Sequence, residues 1–135
     1  MQKEYKINQV NPSKGALDFS YLLDAPAGKH GFVQAKNGHL YYEDGTRARF
    51  LGFNMATRSN AVNHELAEKL AGRFASLGVN VIRLHAADAP IGEQERSWSS
   101  CKEAPLLDYE KGTSRFFHPE GLDRFDYFVA KLKEK

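Results

Sequence analysis

Arg83 and His85 close the run Val79-Asn80-Val81-Ile82-Arg83-Leu84-His85, and Asp88 follows three residues later. A guanidinium at the end of a buried strand must find a carboxylate or several carbonyl partners, because an unpaired buried charge is very costly. Its two uses are to hold a functional carboxylate or to fix a loop through a salt bridge. An imidazole there bonds a ligand hydroxyl or is satisfied by a loop carbonyl. His85 and Asp88 offer two ligands to a cation, too few to define a site. Asn54 and Arg58 lie at and just beyond the end of another apolar run, Phe50-Leu51-Gly52-Phe53. Trp98, the only tryptophan, stands in a long irregular stretch after Asp88.

Elements that would position these residues can be read from pattern. Residues 79–84 form a near-continuous apolar run rich in β-branched side chains, which predicts a parallel strand covered on both faces. Upstream, Asn63 can cap a helix whose apolar positions Leu66, Leu70, Phe74 and Leu77 recur at helical spacing, with Glu65 and Lys69 paired at i,i+4. Gly78 supplies a left-handed stop. With residues 50–54 as an earlier buried strand, this is a strand–helix–strand unit, and in an α/β barrel the C-terminal strand ends carry the chemistry. Asn37-Gly38 and Asp44-Gly45 predict type I′ turns joining three strands over residues 34–36, 39–42 and 46–50, with Leu40, Tyr42, Ala48 and Phe50 on the inner face. Pro119 opens a second helix with Leu122, Phe125, Phe128, Val129 and Leu132 on one side, its acidic residues at the start and lysines at the end matching the helix dipole. The fold class expected is α/β: two βα units of a partial TIM barrel over residues 28–135, preceded by a small antiparallel meander within them, with residues 1–27 as tail and docking segment.

Several chemistries are disfavoured. Neither strand is followed by the glycine-rich turn that lets backbone amides approach phosphates, so a nucleotide site is not expected. His64-Glu65 lacks a second histidine at helical spacing, which removes the zinc-protease pattern. Ser97, Ser99, Ser100 and Cys101 stand outside any nucleophile elbow. Nineteen Lys+Arg against seventeen Asp+Glu, without a basic block, argue against nucleic acid. No apolar run approaches the roughly 20 residues that cross a bilayer, so no membrane association is expected. Neither metal nor cofactor is called for. A lone cysteine forms no intrachain disulfide and reads as an ordinary thiol. No secretory signal opens the chain, although a parent gene could have had one removed; a secreted or periplasmic parent stays open.

Gly31-Phe32-Val33, the segment from Gly38 to Arg47, then Phe50-Leu51-Gly52-Phe53-Asn54, Gly78-Val79-Asn80-Val81-Ile82-Arg83-Leu84-His85 and Gly121-Leu122-Asp123-Arg124-Phe125-Asp126 together resemble the start of cellulase-like glycoside hydrolases of clan A, the family-five type. The resemblance covers residues 28 to 135. It implies that Arg83 helps keep a catalytic nucleophile ionised and oriented, and that Arg83, His85, Asp88, Asn54 and Arg58 line the substrate side. Trp98 is either a stacking platform for a pyranose ring or buried under its loop. Retaining glycosidases need two carboxylates about 5 Å apart; the family carries them on strands four and seven, so no catalytic residue transfers to this chain.

The resulting expectation is an N-terminal segment of a retaining glycoside hydrolase acting on β-linked glycosides or polysaccharides, with its catalytic carboxylates beyond Lys135. The alternative is a non-catalytic carbohydrate-binding or interaction module. Unpaired strand edges and partly uncovered helix stripes lead us to expect a homo-oligomer of the isolated chain.

Overall fold

Two consecutive left-handed residues, Asn37 (φ 52°) and Gly38 (φ 74°), fold strand β1 (Val33–Lys36) back on β2 (His39–Tyr42) in the computed structural model, which describes residues 17–88 and 105–135. This is the type I′ geometry that the twist of paired strands favours. The pairing is antiparallel, with Val33 opposite Tyr42 and Lys36 opposite His39. The second turn differs from expectation. Gly45 (φ 87°) is left-handed but Asp44 is not; its carboxylate accepts from the Thr46 amide (2.8 Å), and Gly45 N–H donates to the Tyr42 carbonyl (3.0 Å). An aspartate that caps the turn this way leaves only the glycine left-handed. The expected third strand contracts to the Tyr41–Arg47 bridge, flanked by hydrogen bonds between Tyr42 N–H and Thr46 and between Ala48 N–H and Leu40. Of the predicted inner residues, Ala48 is buried and Tyr42 half-buried, whereas Leu40 and Phe50 are exposed.

The second sheet is parallel. β3 (Gly52–Ala56) pairs with β4 (Val81–His85), Gly52 opposite Val81 and Ala56 opposite His85. Asn80 sets this register by a three-bond clasp on the chain entering β3: its Oδ1 accepts from Leu51 N–H (2.8 Å), its own N–H donates to the Leu51 carbonyl (3.0 Å), and its Nδ2 donates to the Arg49 carbonyl (2.8 Å). The strands approach so closely that a Cβ at position 52 would stand 2.6 Å from the Val81 carbonyl oxygen, leaving room for glycine alone.

Helix α1 (His64–Ser76) begins where predicted, with Asn63 Oδ1 accepting from Leu66 N–H at 2.9 Å, and Gly78 (φ 73°) lies just past its end. Helix α2 (Pro119–Glu134) starts at Pro119, behind a His118 cap. The two helices pack on each other, and Ala67, Ala71 and Ala75 of α1 and Phe128 of α2 are all buried. Small side chains let the axes approach and leave space for that ring. The leucine stripe predicted for α1 is less buried: Leu66 is exposed, and Leu70, Phe74 and Leu77 are half-buried. A polar seam flanks the contact, where His64 stacks on Tyr127 (3.8 Å between ring centroids), His64 Nε2 meets Asp123 (2.9 Å), and the Tyr127 hydroxyl donates to Glu68 (2.5 Å).

Alternation along the parallel strands puts Phe53, Met55, Ile82 and Leu84 on one face, and the Phe53 and Phe74 rings in contact (5.7 Å) turn that face toward α1. The other face carries Gly52, Asn54, Ala56, Val81, Arg83 and His85. Coverage of β4 on both faces is thereby corrected: Val81, Arg83 and His85 are exposed while Ile82 and Leu84 are half-buried. Among the described residues the helices pack on one side only. No described helix is long and apolar enough to cross a membrane.

Residues 17–31 strap the unit together. Phe19 N–H donates to the Ser76 carbonyl at the end of α1, and Ala27 N–H to the Lys133 carbonyl near the end of α2, both at 2.9 Å. The strap is tied to the hairpin by His30, whose Nε2 faces Asp24 (2.5 Å) and whose Nδ1 faces Asp44. Hydrogen bonds to Asp24 and then Asp44 raise the His30 pKa. Asp24 is lowered first by its bond to Lys29 and then by His30; Asp44 is lowered mainly by the Thr46 amide, with His30 adding.

Two outcomes follow from this packing. His30 holds its proton more tightly folded than unfolded, so its contribution is complete below the ordinary imidazole value of about 6.5 and disappears as pH rises through the raised value. Asp24 and Asp44 contribute above the ordinary carboxylate range and lose their part as pH falls through their lowered values. The melting temperature should therefore peak between the carboxylate range and about pH 6.5 and fall above it. In His30→Gln the part of this fall that sets in just above pH 6.5 should be lost; the same onset in that variant would contradict the assignment. Phe128→Ala should cost about 3–5 kcal/mol in urea unfolding, most of the stability of a small domain. A loss below about 1 kcal/mol would show that the helix contact is not the core.

Candidate functional site

Parallel pairing brings the C-terminal ends of β3 and β4 side by side, and their polar residues share the face turned away from the helices. Asn54 lies directly opposite Arg83, and Arg83 Nη1 donates to Asn54 Oδ1 at 2.7 Å. The guanidinium is exposed and its partner is a neutral amide, where the sequence led us to expect a buried cation held by a carboxylate or by carbonyls. The reason is geometric: the face it projects from is open among the described residues. His85 stands two pairs further along on the same face, exposed, opposite Ala56.

Asp88 is exposed, and its backbone carbonyl accepts the Tyr109 hydroxyl, which ties the turn after β4 to the short helical turn Tyr109–Lys111. Burial, with the Asp88 charge adding to it, pushes the Tyr109 phenol up. Arg58 falls in the helical turn Thr57–Asn60 that follows β3. Trp98 lies outside the described residues. The structure therefore gathers Asn54, Arg83 and His85 on one face, with the Asp88 and Arg58 backbones just beyond the strand ends.

Sequence reasoning missed the residues that close these ends. Ser59 Oγ accepts from the Ala56 amide (3.0 Å) and donates to the Ala56 carbonyl (2.5 Å), capping the last residue of β3. Asn60 does the corresponding job for β4: it is 1% exposed, and its Nδ2 donates to the His85 carbonyl at 2.8 Å. Its Oδ1 is buried and has no hydrogen-bond partner among the described residues. Directly after each strand, a residue other than glycine adopts the left-handed conformation, Thr57 (φ 52°) and Ala86 (φ 48°). Each costs about 1–2 kcal/mol, so the surroundings must hold them there. Neither a threonine nor an alanine signals such a conformation in a sequence. Asn60 meets a partner 25 residues away, beyond the reach of any local spacing rule.

Chemically, the face presents a cation, an imidazole and an amide within three strand positions. Such a set binds carboxylates and hydroxyls, and it supplies no carboxylate of its own for acid–base work. Among the described residues no group of three His, Cys, Asp or Glu could hold a metal ion. A shallow cavity of about 340 Å³ lies elsewhere, on the hairpin, lined by Gln34, Lys36, Tyr41, Tyr42 and Glu43 among others and by none of the strand-end residues. Compared with known proteins, the chain matches no family model, no curated protein and no solved structure.

Proposed function

We propose that the chain is the N-terminal part of a retaining glycoside hydrolase acting on β-linked glycosides or polysaccharides, and that β3-α1-β4-α2 forms the first two βα units of its barrel. One observation carries the reading: Asn54, Arg83 and His85 share the sheet face opposite the helices, with Arg83 Nη1 anchored on Asn54 Oδ1. In a TIM barrel the face away from the helices is the interior, and the C-terminal strand ends open on the site. Asn54 orients the guanidinium from one side and leaves its outer N–H donors for a carboxylate. That is the arrangement needed to keep a nucleophile ionised. The pair of carboxylates that does the chemistry belongs to later strands, beyond Lys135. Oligosaccharide or polysaccharide is the partner, and the family resemblance supplies the substrate class.

The test is kinetic. In the complete protein, Arg83→Ala should lower kcat on aryl β-glycosides on the order of 100-fold or more, because the nucleophile loses the partner that stabilises its charge. An unchanged kcat with only a lower melting temperature would make Arg83 structural. The 135-residue chain alone should show no turnover above background; turnover that stays with it through several columns would contradict the reading. Sugar binding at this face by a complete protein that hydrolyses nothing would favour the non-catalytic module instead.

We further propose that the isolated chain self-associates. Among the described residues β3 and β4 pair only with each other, and Leu51, Phe53 and Val81 beside their edges are exposed. Open strand edges and exposed apolar side chains recruit other chains. Sedimentation equilibrium should show homo-oligomers whose population grows with concentration. A monomer at all concentrations that unfolds sharply on heating would overturn this.

A further inference from the structure

We propose that Asn60 is the positioning residue of the strand-end face: by donating to the His85 carbonyl it holds Ala86 in its left-handed turn, and so sets the direction in which the His85 imidazole leaves the sheet beside the Asn54–Arg83 pair. The bond is long-range in sequence and short in space, 2.8 Å from Asn60 Nδ2 to the His85 oxygen. It runs from the turn after β3 to the last residue of β4, beyond the Arg83–Asn54 bond that also joins the two strands. The residue immediately beyond that carbonyl is Ala86, at φ 48°. An alanine stays in this region only when its neighbours over-determine it. The His85 carbonyl belongs to the peptide unit that enters Ala86, so fixing this oxygen fixes the plane from which the turn starts.

The unpartnered Oδ1 strengthens the argument. Asn60 is 1% exposed, and its carbonyl oxygen meets no donor among the described residues. A buried acceptor without a partner is unfavourable, and an apolar side chain of similar size would avoid the penalty. What the amide offers that such a side chain lacks is the Nδ2 donor. Ser59 makes the matching tie on β3, with both its bonds to Ala56 within its own turn. Of the two turn residues, Asn60 is the one whose bond reaches the other strand. Because Asn54 and Arg83 project from one pair and His85 from the next pair on the same face, a shift of the His85 peptide alters the spacing within the set.

That Asn60 affects catalysis rests on the reading given under Proposed function; that it positions His85 does not. The test is NMR on the 135-residue chain, comparing it with Asn60→Asp, which keeps the shape and removes the donor. The expected result is loss of the strong intraresidue HN–Hα contact that marks a left-handed Ala86, with displaced His85 ring and Arg83 Nε–H signals. The amides of α1 and of the β1–β2 hairpin should stay in place. Unchanged Ala86 and His85 signals in a folded variant would overturn the proposal. Should Asn60→Asp fail to fold, Ala86→Gly keeps the Asn60 bond and frees the turn at a position where glycine is at ease. Its His85 signals should broaden or move, and if they do not, the proposal falls. In the complete protein, Asn60→Asp should lower kcat on the order of tenfold or more with little change in KM, since misplaced groups near the reacting centre act on the transition state. A complete protein without glycosidase activity would remove the functional reading and leave the His85 signals as the deciding result.

Discussion

Everything at the strand ends depends on the Asn80 clasp. Its side chain and backbone together make three hydrogen bonds to the segment entering β3, at the N-terminal end of the parallel pair. A two-stranded parallel sheet has little else to choose its register, and a slip of one residue would send every side chain of one strand to the opposite face. With Asn80 in place, Gly52 falls opposite Val81, where no side chain fits, and Asn54 falls opposite Arg83. The clasp thus works at one end of the sheet and its consequence shows at the other.

Coverage of that sheet divides its two faces. Phe53, Met55, Ile82 and Leu84 turn toward α1, and α1 in turn packs on α2, which carries the buried Phe128. The opposite face keeps an exposed Val81 beside three polar side chains. Val81, Arg83 and His85 thus share a face that no described helix covers. The strap of residues 17–31 closes the helix ends, and its tie to the hairpin is electrostatic. One imidazole between two carboxylates, all partly exposed, gives a contact that pH and salt can adjust without disturbing the core.

Strain gathers where the sheet ends. Thr57 and Ala86 take left-handed conformations at equivalent places after β3 and β4, and the Thr57–Asn60 turn reaches both strands through Ser59 and Asn60. Rigid strand ends with constrained exits hold side chains in a fixed direction, which a loop of free conformation cannot do.

Local patterns determined much of the fold. Asn63, Gly78 and Pro119 bound the two helices because caps, left-handed stops and fixed φ are properties of single residues. Asn37-Gly38 set the first hairpin for the same reason. The sequence also marked Asn54, Arg83 and His85, since polar residues closing apolar runs stand out by contrast. Tertiary structure decided the remainder. β3 sits two residues later than the apolar run indicates, because Asn80 sets where pairing begins; the Asp44 side chain redirected the second turn; and the buried stripe of α1 is alanine because α2 approaches closely. Arg83 is paired with an amide on an open face, an outcome that depends on which residue of the other strand lies opposite. Asn60 was invisible because its role comes from a carbonyl 25 residues away. Properties of one residue and its neighbours can be read along a chain, whereas register, face and long-range partners exist only once the chain has come together.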